Sequence, residues 1–333
     1  MKAAVVRSTE QLPEYAEFAE PEAGPGREIV ELVAAGLHQL VRARAYNTHY
    51  TSEGVYPLVA GADAVARTAD GTLIYTGSVA APFGTMAERM AVPEAFRFAL
   101  PAGSEERAVQ VAGGMNPGMS SWLPLRTRLA DVARLGTVVI VGATGASGML
   151  AVQNARELGA DRVVALGRNE AALERARGYG ATTVRLGAGD GTGEGDSDGR
   201  ARTVADIRAA LDGEMPGIVL DYVWGAPAET VFEALNRPER SEDGGDTAYV
   251  QVGALAGPNA ALPASLLRSR RIKIFGSGMG SVTQDFIIKT IPDYVTRIAE
   301  GHVEVPVETY PLSDVTAAWT ATPAPGTRIV LTA

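Results

Sequence analysis

The chain has 333 residues and a mass of 34.7 kDa, which at roughly 150 residues per domain gives an expectation of about two domains with a cleft between them. Hydrophobic residues at 46% and charged residues at 21% exclude a fibre or a disordered chain, and 39 acidic against 30 basic residues leave a net charge of −9 that argues against a nucleic-acid partner. Cysteine is absent, which removes disulfides, thiolate nucleophiles and every Cys-based zinc or iron–sulfur site; the first apolar run stops at Arg7 and no stretch approaches the ~18 apolar residues of a membrane span, so a cytoplasmic location is expected.

Residues 1–118 alternate short strands (KAAVVR, EIVELVAAG, TLIYTG, MAERMAV) with Pro and Gly turns and carry little helical periodicity. This texture predicts a β-rich domain, a distorted barrel. From Thr137 to Phe275 the β-branched runs TVVIVG, DRVVALG, GIVLDYV, TAYVQVG and RIKIFG are separated by Ala/Leu/Glu/Arg-rich stretches of helical length. Continuous apolar strands between helices predict a doubly wound parallel sheet covered on both faces, an α/β domain. Within it, the Gly-rich segments 187–202 and 237–246 read as surface loops without a function of their own. A helix is expected from about Asp285 to Glu300, followed by strand, helix and strand, too few elements to fold alone and so expected to complete the first domain. The divisions are 1–118, 119–276 and 277–333.

The strongest local signal is the strand VVIV followed by Gly142, Gly145 and Gly148 and then an amphipathic helix. Small residues let the backbone turn sharply and approach a pyrophosphate, while the free N–H groups and positive end of the helix favour the anion. Thr144, Ala146 and Ser147 belong to the same turn, and a dinucleotide is expected there. The second strand ends VVALGRN, where NAD would call for an acidic residue to hold the adenosine ribose. Gly167, Arg168 and Asn169 offer no carboxylate, and a guanidinium at Arg168 suits a 2′-phosphate, so the expected cofactor is NADPH. The later strand ends, Trp224 with Gly225, Gly253-Ala254-Leu255 and Gly276-Ser277-Gly278, should reach the cofactor from the carboxyl edge of the sheet.

With these residues in hand, the chain resembles the medium-chain dehydrogenase/reductase superfamily, in its zinc-free quinone-oxidoreductase-like branch. The resemblance runs along nearly the whole length, through VELVAAGLHQL, GVYPLVAGAD, PFGTMAERMAVP, NPGMSSW, GATGASGMLAVQNARELGA, LDYVWG, VGALAG, FGSG and the terminal YPLSDVTAAW and PGTRIVL. It implies a Rossmann domain inserted into a GroES-like β-rich catalytic domain built from both chain ends. Zinc-dependent relatives place a Cys after the AAG, a His-Glu pair after the PxxxG turn, and a four-cysteine lobe. Here His38 and Ala62-Asp63 occupy the first two places, leaving two potential ligands where a catalytic zinc needs three, so no metal is expected. Short-chain dehydrogenases also carry Gly-rich turns, but none of the ten tyrosines here is followed by Lys four places on.

Without a metal, hydride addition to a plain ketone leaves an alkoxide that is hard to hold. Addition to an enone or quinone leaves a delocalised enolate or phenolate that hydrogen bonds can stabilise. The resemblance therefore implies an NADPH-dependent reductase of a conjugated acceptor. A zinc-independent alcohol or carbonyl dehydrogenase and a non-catalytic NADPH-binding sensor are the alternatives. Polar candidates for the acceptor side cluster in LHQLVRARAYNTHYTSEGVYP, namely His38, Arg42, His49 and Tyr50. By the resemblance His38 stands where relatives place a Cys or Asn facing the nicotinamide, and Asn116 and Ser121 lie at the family's domain junction. A small-molecule substrate and, by analogy with relatives that pair through the Rossmann sheet edge, a homodimer are expected.

Overall fold

Two patterns of backbone pairing divide the chain, each matching one of the sequence textures. The computed structural model describes residues 1–187, 197–236, 245–278 and 280–333. Their contacts sort into one unit of Met1–Pro117 with Ile288–Ala333 and a second of Gly118–Ile287.

The first unit opens with β1 (Lys2–Val6), β2 (Glu14–Glu17), the long β3 (Arg27–Leu37), α1 (Gln39–Ala45), β4 (Leu58–Val59), β5 (Asp63–Arg67), β6 (Leu73–Gly77), β7 (Arg89–Pro93) and β8 (Phe98–Ala99). The 24-residue helix α2 (Ala108–Asp131) follows. The second unit alternates strictly: β9 (Thr137–Val141), α3 (Ala146–Glu157), β10 (Arg162–Gly167), α4 (Glu170–Gly178), β11 (Thr182–Arg185), α5 (Ser197–Leu211), β12 (Ile218–Asp221), α6 (Gly225–Leu235), β13 (Thr247–Gln251), α7 (Ala264–Ser269) and β14 (Ile272–Gly276). Helix α8 (Gln284–Ala299) then leads to β15 (Val307–Pro311), α9 (Val315–Thr320) and β16 (Arg328–Thr332).

In the second unit the strands pair in the order β11-β10-β9-β12-β13-β14, all parallel. This is the doubly wound arrangement, with its switch point between β9 and β12. Successive side chains of a strand point to opposite faces, so β9 feeds two cores. Val138 and Ile140 pack with Met149 and Val152 of α3, while Val139 and Val141 pack with Ile207 of α5 and Phe232 of α6. In the first unit a seven-stranded sheet runs β15-β16-β3-β5-β6-β8, with β7 also on β3, and a three-stranded antiparallel sheet runs β2-β1-β4. Both chain ends meet there, since Ile329 to Thr332 of β16 pair antiparallel with Leu37 to Ala34 of β3.

Local departures from the sequence reading have physical causes. NPGMSSW lies inside α2 and does not break it, because Met115, Met119, Trp122 and Leu125 recur at helical spacing and are buried. The third strand, β11, is short and only partly covered, so TTVR lacks the apolar run that marks its neighbours. The 187–202 loop ends early: α5 begins at Ser197, and Arg200 reaches Glu229 at 3.5 Å and Glu233 at 2.9 Å on α6. Residues 188–196 and 237–244 lie outside the described residues, and with them most of both Gly-rich segments.

Candidate active site

The phosphate-binding turn is built by close backbone approach. Gly142 follows β9 directly with φ +89°, a value that glycine adopts without penalty, and its N–H donates to the Leu166 carbonyl at 2.9 Å. A Cβ on Gly148 would stand 2.3 Å from the Gly142 oxygen and 2.6 Å from Ala143 Cα. No side chain could be accommodated there. Gly145 is the N-cap of α3 and has no side chain to satisfy the first helical N–H groups, so those of Ala146, Ser147 and Gly148 begin the helix without a side-chain cap. Thr144 lies against the end of β10, where a Cβ on Gly167 would be 2.3 Å from its Cγ2. A glycine-lined cradle at a helix start fits a pyrophosphate.

Arg168, immediately after β10, is exposed and forms no hydrogen bond or ion pair with the described residues. Arg185, the last residue of the adjacent β11, pairs in register with Gly167 and is exposed on the same strand-end edge. Asn169 has a structural duty, since its side chain accepts from Ala172 N–H at 2.9 Å as the N-cap of α4. The neighbouring strand ends lean on one another. Asp221 Oδ1 accepts from the N–H groups of Val223 and Trp224, both at 2.9 Å, and its Oδ2 accepts from Tyr249 Oη at 2.6 Å. Burial raises the pKa of Asp221 against the lowering effect of these bonds. They hold Trp224 at φ +56°, a left-handed conformation unusual outside glycine, with its ring edge-on to Phe232 and Tyr249. A Cβ on Gly253 would lie 2.6 Å from the Tyr222 carbonyl, and Gly253 N–H donates to Asp221 O at 3.1 Å. Ala254 follows, and Leu255 is 77% exposed. Beyond Gly276, Ser277 N–H donates to Gln251 O, and Gly278 N–H donates to Ser281 Oγ.

The two α2 candidates differ. Asn116 is half-buried. Ser121 is fully buried, and its hydroxyl donates to Gly118 O at 3.0 Å while accepting from Asn154 Nδ2 at 2.9 Å. It therefore ties α2 to α3 and does not present its hydroxyl to a ligand.

In the first unit His38 lies just past the end of β3, 4% exposed. Its Nε2 is 2.8 Å from Asp63 Oδ1 at the start of the neighbouring β5. Tyr75 of β6 donates to Asp63 Oδ2 at 2.8 Å, and Thr85 donates to the Asp63 carbonyl at 2.9 Å. Burial first, and the Asp63 charge second, push Tyr75 well above its ordinary pKa. On β16 burial lowers the Arg328 guanidinium to about 10 despite the opposing pull of Asp63. His49 sits apart from this cluster. Its Nδ1 accepts from Thr51 Oγ1 at 2.7 Å and Thr51 N–H at 3.2 Å, and its ring stacks tilted on exposed Tyr50 at 4.1 Å. Burial and Arg44 lower the His49 pKa. Arg42 lies over the Trp319 ring at 5.2 Å and donates to the Trp319 carbonyl. This guanidinium fastens α1 to α9, which removes it from the candidates for chemistry. Among the described residues no three His, Asp or Glu side chains gather as a metal would require.

No family model matches the chain. A curated relative, the probable NADPH-dependent quinone reductase tdiC of Emericella nidulans, is 29% identical over 360 aligned residues, covering 96% of each chain. The crystal structure of a quinone oxidoreductase from Thermus thermophilus superposes with a TM-score of 0.76 at 24% identity over all of both chains. A 2-haloacrylate reductase gives 0.74 at 20%, over all of this chain and 99% of that one. The chain is similar over nearly its whole length to a curated quinone reductase, and it shares the fold of a solved quinone oxidoreductase.

The features that the sequence does not mark are side-chain pairings. Tyr75 joins the candidate site through a contact 12 residues away in sequence, and Asp221 links the Trp224 turn to Tyr249, 28 residues away. Arg185 had one local signal, a basic residue ending a short strand after a Gly-Ala pair. No described helix is long and apolar enough to cross a membrane.

Proposed function

We propose that this protein is an NADPH-dependent reductase of conjugated acceptors, an enone or a quinone. The observation that carries the reading is the glycine cradle at the start of α3, where a Cβ on Gly148 would strike the Gly142 oxygen at 2.3 Å. The curated relative is described as an NADPH-dependent quinone reductase, and one of the structural neighbours as a 2-haloacrylate reductase, which supports a conjugated acceptor. When bound, NADPH supplies the hydride.

The chain's own residues do the rest. Gly142, Gly145 and Gly148 admit the pyrophosphate to the N–H groups of Ala146, Ser147 and Gly148. Arg168, with Arg185 beside its strand end, holds the 2′-phosphate. Strand-end residues Trp224, Gly253, Ala254, Leu255, Gly276, Ser277 and Gly278 border the rest of the cofactor, with Asn116 on its edge. His38 serves the acceptor side as the proton-bearing group, with His49 and Tyr50 as further donors. We read the site as zinc-independent because His38 and Asp63 satisfy each other at 2.8 Å and no cysteine exists to complete a set of ligands. The conjugated acceptor suits such a site, because its negative charge is spread over several atoms.

The test is NADPH oxidation against a panel of enones, quinones, aldehydes and ketones, with product analysis. Saturated carbonyls or hydroquinones support the proposal; alcohols alone favour a carbonyl dehydrogenase with His38 or Tyr50 passing the proton. Binding of NADPH without oxidation by any acceptor would make the protein a sensor. We also propose a homodimer formed along β14, the last strand of the parallel sheet, whose outer edge pairs with no strand among the described residues and which carries the 44% exposed Phe275. Sedimentation of the full chain tests it, a monomer at micromolar concentration being the contrary result.

A further inference from the structure

We propose that Asp63 and Tyr75 are positioning residues that fix His38 in the tautomer protonated at Nε2, leaving Nδ1 as the nitrogen through which the site passes its proton. The inference rests on the reductase reading and names the atoms that serve it. An ionised carboxylate only accepts hydrogen bonds. With Asp63 Oδ1 2.8 Å from Nε2, the proton between them belongs to the ring nitrogen. A ring flipped by half a turn would face that oxygen with a carbon, so the contact fixes orientation as well as tautomer. Asp63 is itself held from three sides: Tyr75 donates to Oδ2, Thr85 donates to its carbonyl, and β5 carries its backbone. The buried guanidinium of Arg328 balances its charge.

The opposite side of the imidazole is different. His38 Nδ1 is buried and has no hydrogen-bond partner among the described residues, as is the case for Arg328 Nε, whereas both oxygens of the Asp63 carboxylate and the Tyr75 hydroxyl are engaged. A buried imidazole nitrogen left unpaired, on a ring whose other nitrogen is fixed by a carboxylate, marks a place where a ligand atom or a transferred proton belongs. In each turnover Nδ1 takes up one proton from solvent and releases it to the oxyanion of the reduced acceptor, which returns the ring to its neutral form. Asp63 keeps its charge throughout. Tyr75 does not exchange a proton, because its hydroxyl stays committed to Asp63.

The experiment is nitrogen NMR of the full chain labelled at histidine, without cofactor. Only His38, His49 and His302 contribute signals, and His49→Gln and His302→Gln assign them. The expected spectrum gives His38 a protonated Nε2 and a bare Nδ1, and Asp63→Asn shifts the proton toward Nδ1 because an amide can donate to Nε2. A wild-type His38 protonated at Nδ1 with Nε2 bare, or a tautomer unmoved in Asp63→Asn, overturns the proposal. In steady-state assays Asp63→Asn should lower kcat at least tenfold with NADPH Kd unchanged, and Asp63→Glu should recover part of the loss. Should Asp63→Asn fail to fold, Tyr75→Phe decides: a three- to tenfold fall in kcat at constant KM supports positioning, and an unchanged kcat refutes it. If wild type reduces no acceptor, the reductase reading fails while the spectrum still reports the tautomer. If it turns over and Asp63→Asn turns over equally, only the positioning role falls.

Discussion

Gly145 and Gly148 lie three residues apart in one turn, yet a methyl group added to each should do opposite things. On Gly148 it would meet Gly142 O at 2.3 Å and Ala143 Cα at 2.6 Å, both backbone atoms that no rotamer change can move. Real Cβ contacts do not fall below 3.0 Å, so the turn must open by most of an ångström at Gly142. Overpacking of this kind costs about 1–3 kcal/mol, which for a unit of this size lowers Tm by roughly 2–12 °C. On Gly145 the nearest neighbour is the Gly142 oxygen at 3.9 Å and φ is −82°, so the backbone accepts alanine. The fold then loses no more than about 1 kcal/mol, the difference between glycine and alanine as an N-cap. A bound pyrophosphate would touch that methyl, and NADPH affinity should fall about tenfold or more, equivalent to about 1.4 kcal/mol. Calorimetric titration with NADPH and thermal melts of both variants separate the effects. A Gly148→Ala protein that melts like wild type would refute the close approach, and a Gly145→Ala protein with unaltered NADPH affinity would remove the cofactor from this turn.

The remaining predictions concern charge and capping. Arg168→Ala should weaken NADPH by about 1.5–3 kcal/mol, roughly 10- to 150-fold, while NADH binding changes little; equal losses for the two would detach Arg168 from the 2′-phosphate. Asp246, bonded to Lys273 and to Arg128 at 2.8 Å each, is held at about 2 against an ordinary 3.8. A depressed carboxyl stabilises the fold above its unfolded pKa and loses that contribution as pH falls through its folded one. Asp246→Asn should therefore lower Tm at pH 7, and the gap from wild type should close between pH 3.8 and about 2; a gap independent of pH would contradict the ion pairs. Asp221→Ala strands two N–H groups and the Tyr249 hydroxyl, so about 3–5 kcal/mol of stability should go, read by urea unfolding.

What the sequence makes legible is what leaves a local mark. A left-handed φ at Gly142 and a forbidden Cβ at Gly148 can be met only by glycine, so the spacing of those residues announces the turn by itself. Likewise the apolar runs of β9, β10, β12 and β13 report burial on both faces, whereas RIKIFG, expected to be covered like them, forms the edge strand β14 and is largely exposed. Arg42 shows the limit of such reading. Its position in a polar stretch suggests chemistry, but its partner Trp319 is 277 residues away in sequence, and no local pattern encodes that contact. Ser121 fails for a related reason. Pro117 and Gly118 suggest a junction, whereas the hydroxyl is spent on Asn154 across α2 and α3. The His38–Asp63 pair is intermediate: both positions stand out in sequence, but their hydrogen bond and the third member, Tyr75, exist only because β3, β5 and β6 lie side by side.

The pairing of β16 with β3 also orders events during synthesis. Gly118–Ile287 is one uninterrupted stretch and has all its strands once β14 has left the ribosome. The segment that emerges first must instead wait, with the Ala34–Leu37 end of β3 unpaired on one flank, for a strand made some three hundred residues later. The nascent protein thus carries an unpaired strand end through most of translation, and chaperone engagement should concentrate at Ala34–Leu37 until Ile329–Thr332 arrives to cover it.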